Sequence, residues 1–445
     1  QDLPLSKSPR AAIVTFGCAK NLVDSEVMAG HLRSAGYVLV PDTARADVII
    51  LNTCGFIRPA REEAEKGIRR ALKIKASRPG VRLVVTGCAV ENDRPGLLER
   101  HPAVDAWLGV RDYDRIVAAA ENRPFRSRAR TFLYDHRSPR LLSTPPGWAY
   151  LKVSEGCSHQ CAFCSIPSIK GPYRSRTVSS IIAEARFLEA RGAREIVLVS
   201  QDTTAFGRDR GRADGLALLL AELLKGTAVP WIRFLYGYPE EITDALLEVM
   251  ADSRICPYLD IPFQHASPAV LRRMKRASSA ARILRLLEKI RKLLPEAAIR
   301  TSLIVGFPGE GPDEFKRLQE FVREARIDHL GVFTYCREEG TAAWALGDPV
   351  PEAEKERRRG ILMEAQAAYS AENLRKFRGR TLDVLIEGPR PGRPGGWIGR
   401  TKFQAPEEDG VVFVRAEGAR TWKSPLGRVK IISSGTYDLF GNIAS

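Results

Sequence analysis

Six of the chain's eight cysteines fall into two sets of three whose types and spacing suit iron or another soft metal. The denser set lies in EGCSHQCAFCSIPSIKGPYRSR, where Cys157, Cys161 and Cys164 follow a C-x3-C-x2-C pattern. Three thiolates this close can wrap one face of a cubane and ligate three of its irons, leaving the fourth open. An open position is what separates a catalytic metal site from a closed structural one. A zinc knuckle completed by His159 or an outside residue is the plainer alternative, although the spacing is not a usual zinc spacing.

The second set is dispersed: Cys18 in TFGCAKN, Cys54 in LNTCGF and Cys88 in VTGCAV. Each stands at the C-terminal end of an apolar run that reads as a strand, and the intervals of 36 and 34 residues are each about one strand–helix unit. Parallel strands would bring the three thiols to one sheet edge, where open α/β folds place ligands. The neighbouring Gly17, Gly55 and Gly87 are expected to let the backbone approach a bulky inorganic centre. Three cysteines packed as small hydrophobes is the plainer reading of this set. Cys256 and Cys336 fit neither set and read as packing residues.

The elements that must position these cysteines follow from periodicity. AAIVTF, DVIILN and RLVVTG read as strands, the first two followed by helical patterns such as NLVDSEVMAGHLRSAG, with Val23, Val27, Met28 and Leu32 on one face. This alternation predicts an α/β fold that opens with a doubly wound parallel domain over 1–122. A polar, Arg- and Pro-rich stretch over 123–147 reads as a linker. AYLKVS, EIVLVS, WIRFLYGY, YLDIPF, IRTSLIVGF and LGVFTY then supply six strands over 148–376, which suggests a partial (β/α)6 barrel. A charged helix over about 351–376 closes it. From 377 to 445, short strands between Gly and Pro clusters predict a small antiparallel β-barrel, whose basic excess makes it a docking module.

Bulk properties narrow the setting. The chain has 445 residues, is 44% hydrophobic and carries a net charge of +16, so it is globular and attracts polyanions such as RNA or ribosomes. Runs such as Arg357-Arg358-Arg359 read as solvated helix faces. Eight cysteines without a secretory-type N-terminus (QDLPLSKSPR) or an apolar run long enough to span a bilayer point to a reduced, cytoplasmic setting and no membrane partner.

The cysteine loop, with aromatic Phe163 before its last cysteine, resembles the radical S-adenosylmethionine superfamily. That resemblance implies a [4Fe-4S] cluster on Cys157, Cys161 and Cys164 whose open iron is chelated by the methionine end of S-adenosylmethionine. It further implies that Phe163 and the Gly306 strand (IVGFPGE) meet the adenine, and that Gln201 and Asp202 (VSQD) meet the methionine end. The two cysteine sets and the domain order together resemble the methylthiotransferases. GCAKNLVDSE, NTCGFI, LDIPFQHAS, SLIVGFPGE, GRTKFQAPEEDGVVFV and YDLFG are similar to the RimO branch in particular; one departure is Ala19, where that branch commonly has proline.

For this chain the resemblance implies a second, auxiliary [4Fe-4S] cluster on Cys18, Cys54 and Cys88, which carries the sulfur to be methylated and transferred. It also implies a TRAM-like terminal domain that helps dock substrate, and an electron donor such as flavodoxin or ferredoxin. The implied acceptor is the β-carbon of an aspartate in ribosomal protein S twelve, free or on the small ribosomal subunit. In the alternative tRNA branch, typified by MiaB, it is an adenosine beside the anticodon. Aspartate's β-methylene is too weakly acidic for an ordinary side-chain base, which suits a radical route. Its carboxylate calls for a cation, and Lys20, Lys170, Arg174 and Arg176 flank the cluster motifs.

Overall fold

The computed structural model describes residues 8–415 and 425–444. Residues 1–7 of the segment read against a secretory signal, and Ala416 at the end of a predicted strand, lie outside them. The chain divides into two compact units, residues 1–143, 154–160 and 164–181 in one, the remainder in the other.

The first unit is built on a five-stranded parallel sheet of β1 (Arg10–Thr15), β2 (Val38–Leu39), β3 (Val48–Thr53), β4 (Arg82–Gly87) and β5 (Ala106–Leu108), in the order β2-β1-β3-β4-β5. β3 is buried along its whole length because both faces are covered. On one face α1 (Ala19–Ser34) contributes Met28 and Leu32 to a core with Ile50, Val84 and Ile116. On the other α2 (Arg58–Ser77) sets Ile68 and Ala71 against Ile49, Leu83 and Val85. Connections that leave β1 and β3 in opposite directions create a crevice between the C-terminal ends of these two neighbours, the place where such sheets take ligands.

α1 is buried on more than its apolar face: Asn21, Asp24, Ser25 and Glu26 are enclosed as well. The covering segment is the stretch read as a linker. It has no helix or strand, but Arg140 forks onto Glu26 at 2.6 and 2.9 Å with both side chains almost fully buried, and Ser143 donates to the same carboxylate. Gly30 lets the chain pass closely, since a Cβ there would stand 2.3 Å from the carbonyl of Pro139.

The second unit holds the six predicted strands in sequence order, all parallel: β6 (Trp148–Lys152), then β9 (Glu195–Val199), β10 (Trp231–Phe234), β11 (Tyr258–Asp260), β12 (Ala298–Val305) and β13 (His329–Thr334). Two short strands between β6 and β9, β7 (Ser154–Glu155) and β8 (Arg174–Ser175), belong to the first unit and pair antiparallel at the base of the cysteine loop. The six form two three-stranded sheets, linked where β10 and β11 approach by an isolated parallel bridge of Ile232 with Ile255, which precedes β11, and by a bond of 2.7 Å from the N–H of Gly237, which follows β10, to the Asp260 carbonyl. The predicted charged helix runs Glu352–Leu374.

β14 (Thr381–Pro389), β15 (Gly396–Arg400), β16 (Val412–Arg415), β17 (Leu426–Ser434) and β18 (Leu439–Ile443) close into a ring in the order β14-β15-β16-β18-β17. Four pairings are antiparallel and one, β16 with β18, is parallel. A closed ring of five strands cannot alternate direction throughout, so one parallel pairing completes the small, otherwise antiparallel β-barrel expected from sequence.

This small barrel is fastened to the N-terminal ends of the larger barrel's strands by buried charge. Glu195, at the start of β9, accepts from Arg233 at 2.7 Å and from Arg400 at 2.8 Å, all three essentially unexposed, and Arg400 also reaches Glu387 at 2.6 Å. The turn after β15 adds Glu407 to the Tyr150 hydroxyl, Glu408 to Arg300 and Asp409 to the Tyr258 hydroxyl. Burial opposes ionisation of Glu195, but Arg400 and Arg233 outweigh it and hold the carboxyl below its ordinary range.

Glu195→Ala strips two buried guanidiniums of their shared carboxylate and is expected to cost roughly 3–5 kcal/mol in urea unfolding. Loss of the exposed Arg380 to Glu296 pair should cost less than about 1 kcal/mol. Because the folded carboxyl is depressed, its contribution is full above the unfolded value near pH ~4.3 and fades as pH falls through the folded value. The acid limb of a stability profile should therefore flatten in Glu195→Gln.

Candidate functional site

All eight cysteines are free thiols. Cys18 is the N-cap of α1, Cys54 directly follows β3, and Cys88 opens the short helix α3 (Cys88–Asn92) after β4. Because β1, β3 and β4 are adjacent and parallel, the three cysteines stand at the same edge, on neighbouring strand ends about 5 Å apart. Their loops interlock. A Cβ on Gly17 would lie 2.7 Å from Cys54 Cβ and 3.1 Å from its Sγ, and one on Gly55 would strike the backbone of Cys88 and Ala89. Gly17 and Gly55 thus admit the neighbouring cysteine loops, and Gly87 the end of β3.

Asn21, one turn into α1 and buried, ties these loops together. Its Nδ2 donates to the carbonyls of Phe16 (3.0 Å) and Thr53 (3.2 Å), and its Oδ1 lies 3.7 Å from Cys88 Sγ. Asn52 donates back to the Asn21 carbonyl and to Ser25. Asn21 stands in the GCAKN motif, yet only the sheet order reveals that it bridges three strand ends.

Burial pushes the Cys88 thiol up to about 12 and raises Cys54 as well, while the Lys170 ammonium pulls both down. Lys170 is buried with its Nζ 3.4 Å from Asp24 and 3.6 Å from Glu155, and 5.4 Å from the centre of the Tyr113 ring. Burial disfavours its charge, but Glu155, Tyr113, Cys88 and Asp24 hold it protonated, well above the ordinary lysine range. Bare thiolates in such a site are costly; a cationic metal centre that takes them removes the cost and releases their protons.

Among the described residues, no three His, Cys, Asp or Glu side chains gather as a single ion would require. A cubane presents a different iron to each thiolate, so neighbouring strand ends with soft donors and a buried cation fit it better than they fit one ion.

The loop of Cys157, Cys161 and Cys164 is closed at its base by β7 and β8 and by the Cys157 N–H to Gly171 carbonyl bond. Arg276 Nη1 stands 3.7 Å from Cys161 Sγ and its guanidinium lies 4.0 Å over Tyr238, a neighbour that sequence gave no reason to select. Phe163 packs with Ala162, Met274, Phe307, Tyr335 and Ala343, edge-on to Phe307 with ring centres 6.5 Å apart. Phe307 follows Gly306, so Phe163 packs beside the end of the strand that carries Gly306.

Gly306 has φ +75°, and a Cβ there would meet Lys355 at 2.3 Å. Its N–H donates to Glu310 at 2.8 Å. Glu310 is fully buried and also held by Arg358 (2.8 Å) and by His265 (3.3 Å), which belongs to LDIPFQHAS. Arg358 therefore departs from the solvated face expected of its run, whereas Arg357 and Arg359 pair on the surface with Glu354 and Glu356.

Gln201 and Asp202 follow β9. Gln201 is half-buried, while Asp202 Oδ1 is engaged by the Thr204 hydroxyl at 2.6 Å and the Ala205 N–H, so it builds its own turn. Of the cations offered for a substrate carboxylate, Lys170 is enclosed by Asp24 and Glu155. Arg176 is buried on Ser180 and the face of Tyr134, 4.4 Å away, and Lys20 is buried; Arg174 alone is half-exposed. Cys256 is fully buried, in keeping with packing, whereas Cys336 is half-buried with its thiol 2.9 Å from Glu338.

Lys170→Met would leave two buried carboxylates without their cation and is expected to destabilise the metal-free protein by roughly 3–5 kcal/mol in urea unfolding.

Three family descriptions match in succession: an uncharacterized protein family, UPF0004, over residues 10–109, the radical SAM superfamily over 151–322, and the TRAM domain over 379–444. The fold is similar to that of the cobalamin- and [4Fe-4S]-containing radical S-adenosylmethionine methyltransferase TsrM of Kitasatospora setae, with a TM-score of 0.56 and 14% identity over 76% of this chain and 77% of that one. The ribosomal protein uS12 methylthiotransferase RimO of Syntrophus aciditrophicus is 44% identical over 97% of this chain and 98% of its own length. That of Aquifex aeolicus is 41% identical over 97% and 96%. The chain belongs to the RimO family of radical SAM methylthiotransferases.

Proposed function

We propose that the protein inserts a methylthio group at the β-carbon of an aspartate of ribosomal protein uS12, using S-adenosylmethionine and two [4Fe-4S] clusters. The observation that carries this reading is the convergence of Cys18, Cys54 and Cys88 on adjacent strand ends, beside a separate C-x3-C-x2-C loop. One radical cluster alone would account for only half of that chemistry.

Cys157, Cys161 and Cys164 would hold the radical cluster, and Cys18, Cys54 and Cys88 the auxiliary one. Bound there, the clusters and S-adenosylmethionine supply one-electron cleavage to a carbon radical able to take hydrogen from an unactivated C–H, together with a sulfur to be transferred. The chain's own residues orient and shield. Phe163 offers a ring face to the adenine, and the left-handed Gly306, fixed by Glu310, His265 and Arg358, keeps its strand free of a side chain there. Gln201, half-buried after β9, would meet the methionine end; Asp202 would act by holding the turn. Arg276 adds positive charge beside Cys161, and Lys170 beside Cys54 and Cys88.

The electron is expected from a small carrier such as flavodoxin or ferredoxin. Among the described residues no helix is long and apolar enough to cross a membrane, which supports a cytoplasmic reading.

Reconstituted protein should contain about eight iron atoms per chain, and Cys18→Ala and Cys157→Ala about four each, since each cubane carries four. Turnover with uS12 should give methylthio-aspartate. Methylthio-adenosine in tRNA as the sole product, or zinc in place of iron with no 5′-deoxyadenosine formed, would defeat the reading.

A further inference from the structure

The net charge of +16 has no place in the reaction just described, and part of it is concentrated where the structure gives it no internal partner. Residues 123–130, RPFRSRAR, place four arginines in eight positions. The segment has no helix or strand, and Phe125 and Phe132 pin its two ends to the core of the first unit. Between those anchors Ser127 donates to Asp112 at 2.6 Å, and the Ala129 carbonyl accepts from Arg111.

The intervening Arg126, Arg128 and Arg130 are exposed. Arg123 is paired with Glu121, and Arg128 with Asp114. Arg126 and Arg130 have no hydrogen bond or ion pair among the described residues.

An open groove of about 370 Å³ follows the segment, lined by Arg128, Arg130 and Arg174 with Phe132 and Leu133. Arg174 hydrogen-bonds the Thr131 carbonyl, and Thr131 in turn donates to the Lys170 carbonyl at 2.7 Å. The groove is thus anchored on the segment that ends the cysteine loop. Burial disfavours the charge of Arg174, Glu155 supports it and Arg130 opposes it, and both arginines line the same groove.

We propose that this arginine groove binds the phosphate backbone of RNA, independently of base sequence. Several guanidiniums around one open groove match successive phosphates better than a single carboxylate, and guanidinium forks suit phosphate oxygens. If the substrate is a ribosomal protein, a point that rests on the proposed function, the RNA is that surrounding it, and the groove selects substrate already assembled with RNA.

The test is fluorescence anisotropy of a labelled RNA hairpin titrated with the reconstituted full chain between about 50 and 200 mM salt. Arg126→Ala/Arg130→Ala is expected to weaken binding roughly tenfold or more, and to reduce the slope of log affinity against log salt by about 2. Arg126→Lys/Arg130→Lys, which keeps the charge, should recover most of that slope. Turnover of free uS12 by the alanine variant should equal that of the parent.

Unchanged RNA affinity and slope in the alanine variant would overturn the proposal. So would polyglutamate binding more tightly than the hairpin, which would assign the groove to an acidic protein, or loss of turnover on free uS12, which would assign it to the peptide. Since RNA binding is measured without turnover, failure of the reaction reading leaves this result standing.

Discussion

A lysine ammonium sealed inside protein is tolerable only if carboxylates come with it, and Lys170 draws its two from different parts of the chain. Asp24 belongs to α1, the helix that Cys18 caps; Glu155 belongs to β7, two residues before Cys157; Lys170 itself ends the short helix after Cys164. The three charges can be buried together or not at all, since removing any one strands the others in a low dielectric. The N-terminal cysteine edge and the base of the loop that carries Cys157 and Cys164 are therefore fixed to a common point. Net negative charge there is limited by the same cation, which also lowers the cost of thiolates at Cys54 and Cys88.

Two other buried networks repeat the device. Glu310 fixes the backbone at Gly306 through its N–H while Arg358 bonds its other oxygen and His265 Nε2 lies 3.3 Å away, so the strand end that Phe163 faces is rigid before any ligand arrives. Glu195, Arg233 and Arg400 do the same at the opposite ends of the larger barrel's strands, where the small β-barrel is seated. GRTKFQAPEEDGVVFV owes much of its pattern to this seat: Arg400, Glu407, Glu408 and Asp409 are engaged inside the unit. The basic excess of the tail, read as docking charge, is in part structural.

What was legible from sequence is what periodicity and local spacing encode. The six parallel strands of the larger barrel and the three that precede Cys18, Cys54 and Cys88 lie in apolar runs of readable length, even where the strand itself is as short as β11. Strands β2 and β5, of two and three residues, are too short to show a period, and β7 with β8 is too short for the same reason, although it closes the cysteine loop. Contacts between residues far apart in sequence leave no local trace. Nothing in the vicinity of Glu195 points to Arg400, 205 positions away, or near Glu26 to Arg140. That is why residues 123–147, polar and rich in turn formers, read as linker although Arg140 is buried.

Charge illustrates the same limit from the other side. Sequence counts cations but cannot say which are neutralised, and this chain buries several of those that seemed available. Lys170, Arg176, Arg233, Arg358 and Arg400 are enclosed with partners, while Arg126 and Arg130, unremarkable in composition, are left facing solvent. Buried pairs contribute nothing to the field a distant polyanion feels, because partner charges cancel within a Debye length of about 8–10 Å. The attraction implied by +16 is therefore felt through cations at the surface, among them Arg126 and Arg130 in the segment before the cysteine loop. A positive surface set beside a reaction edge, rather than spread over the whole molecule, orients a polyanionic partner as well as attracting it.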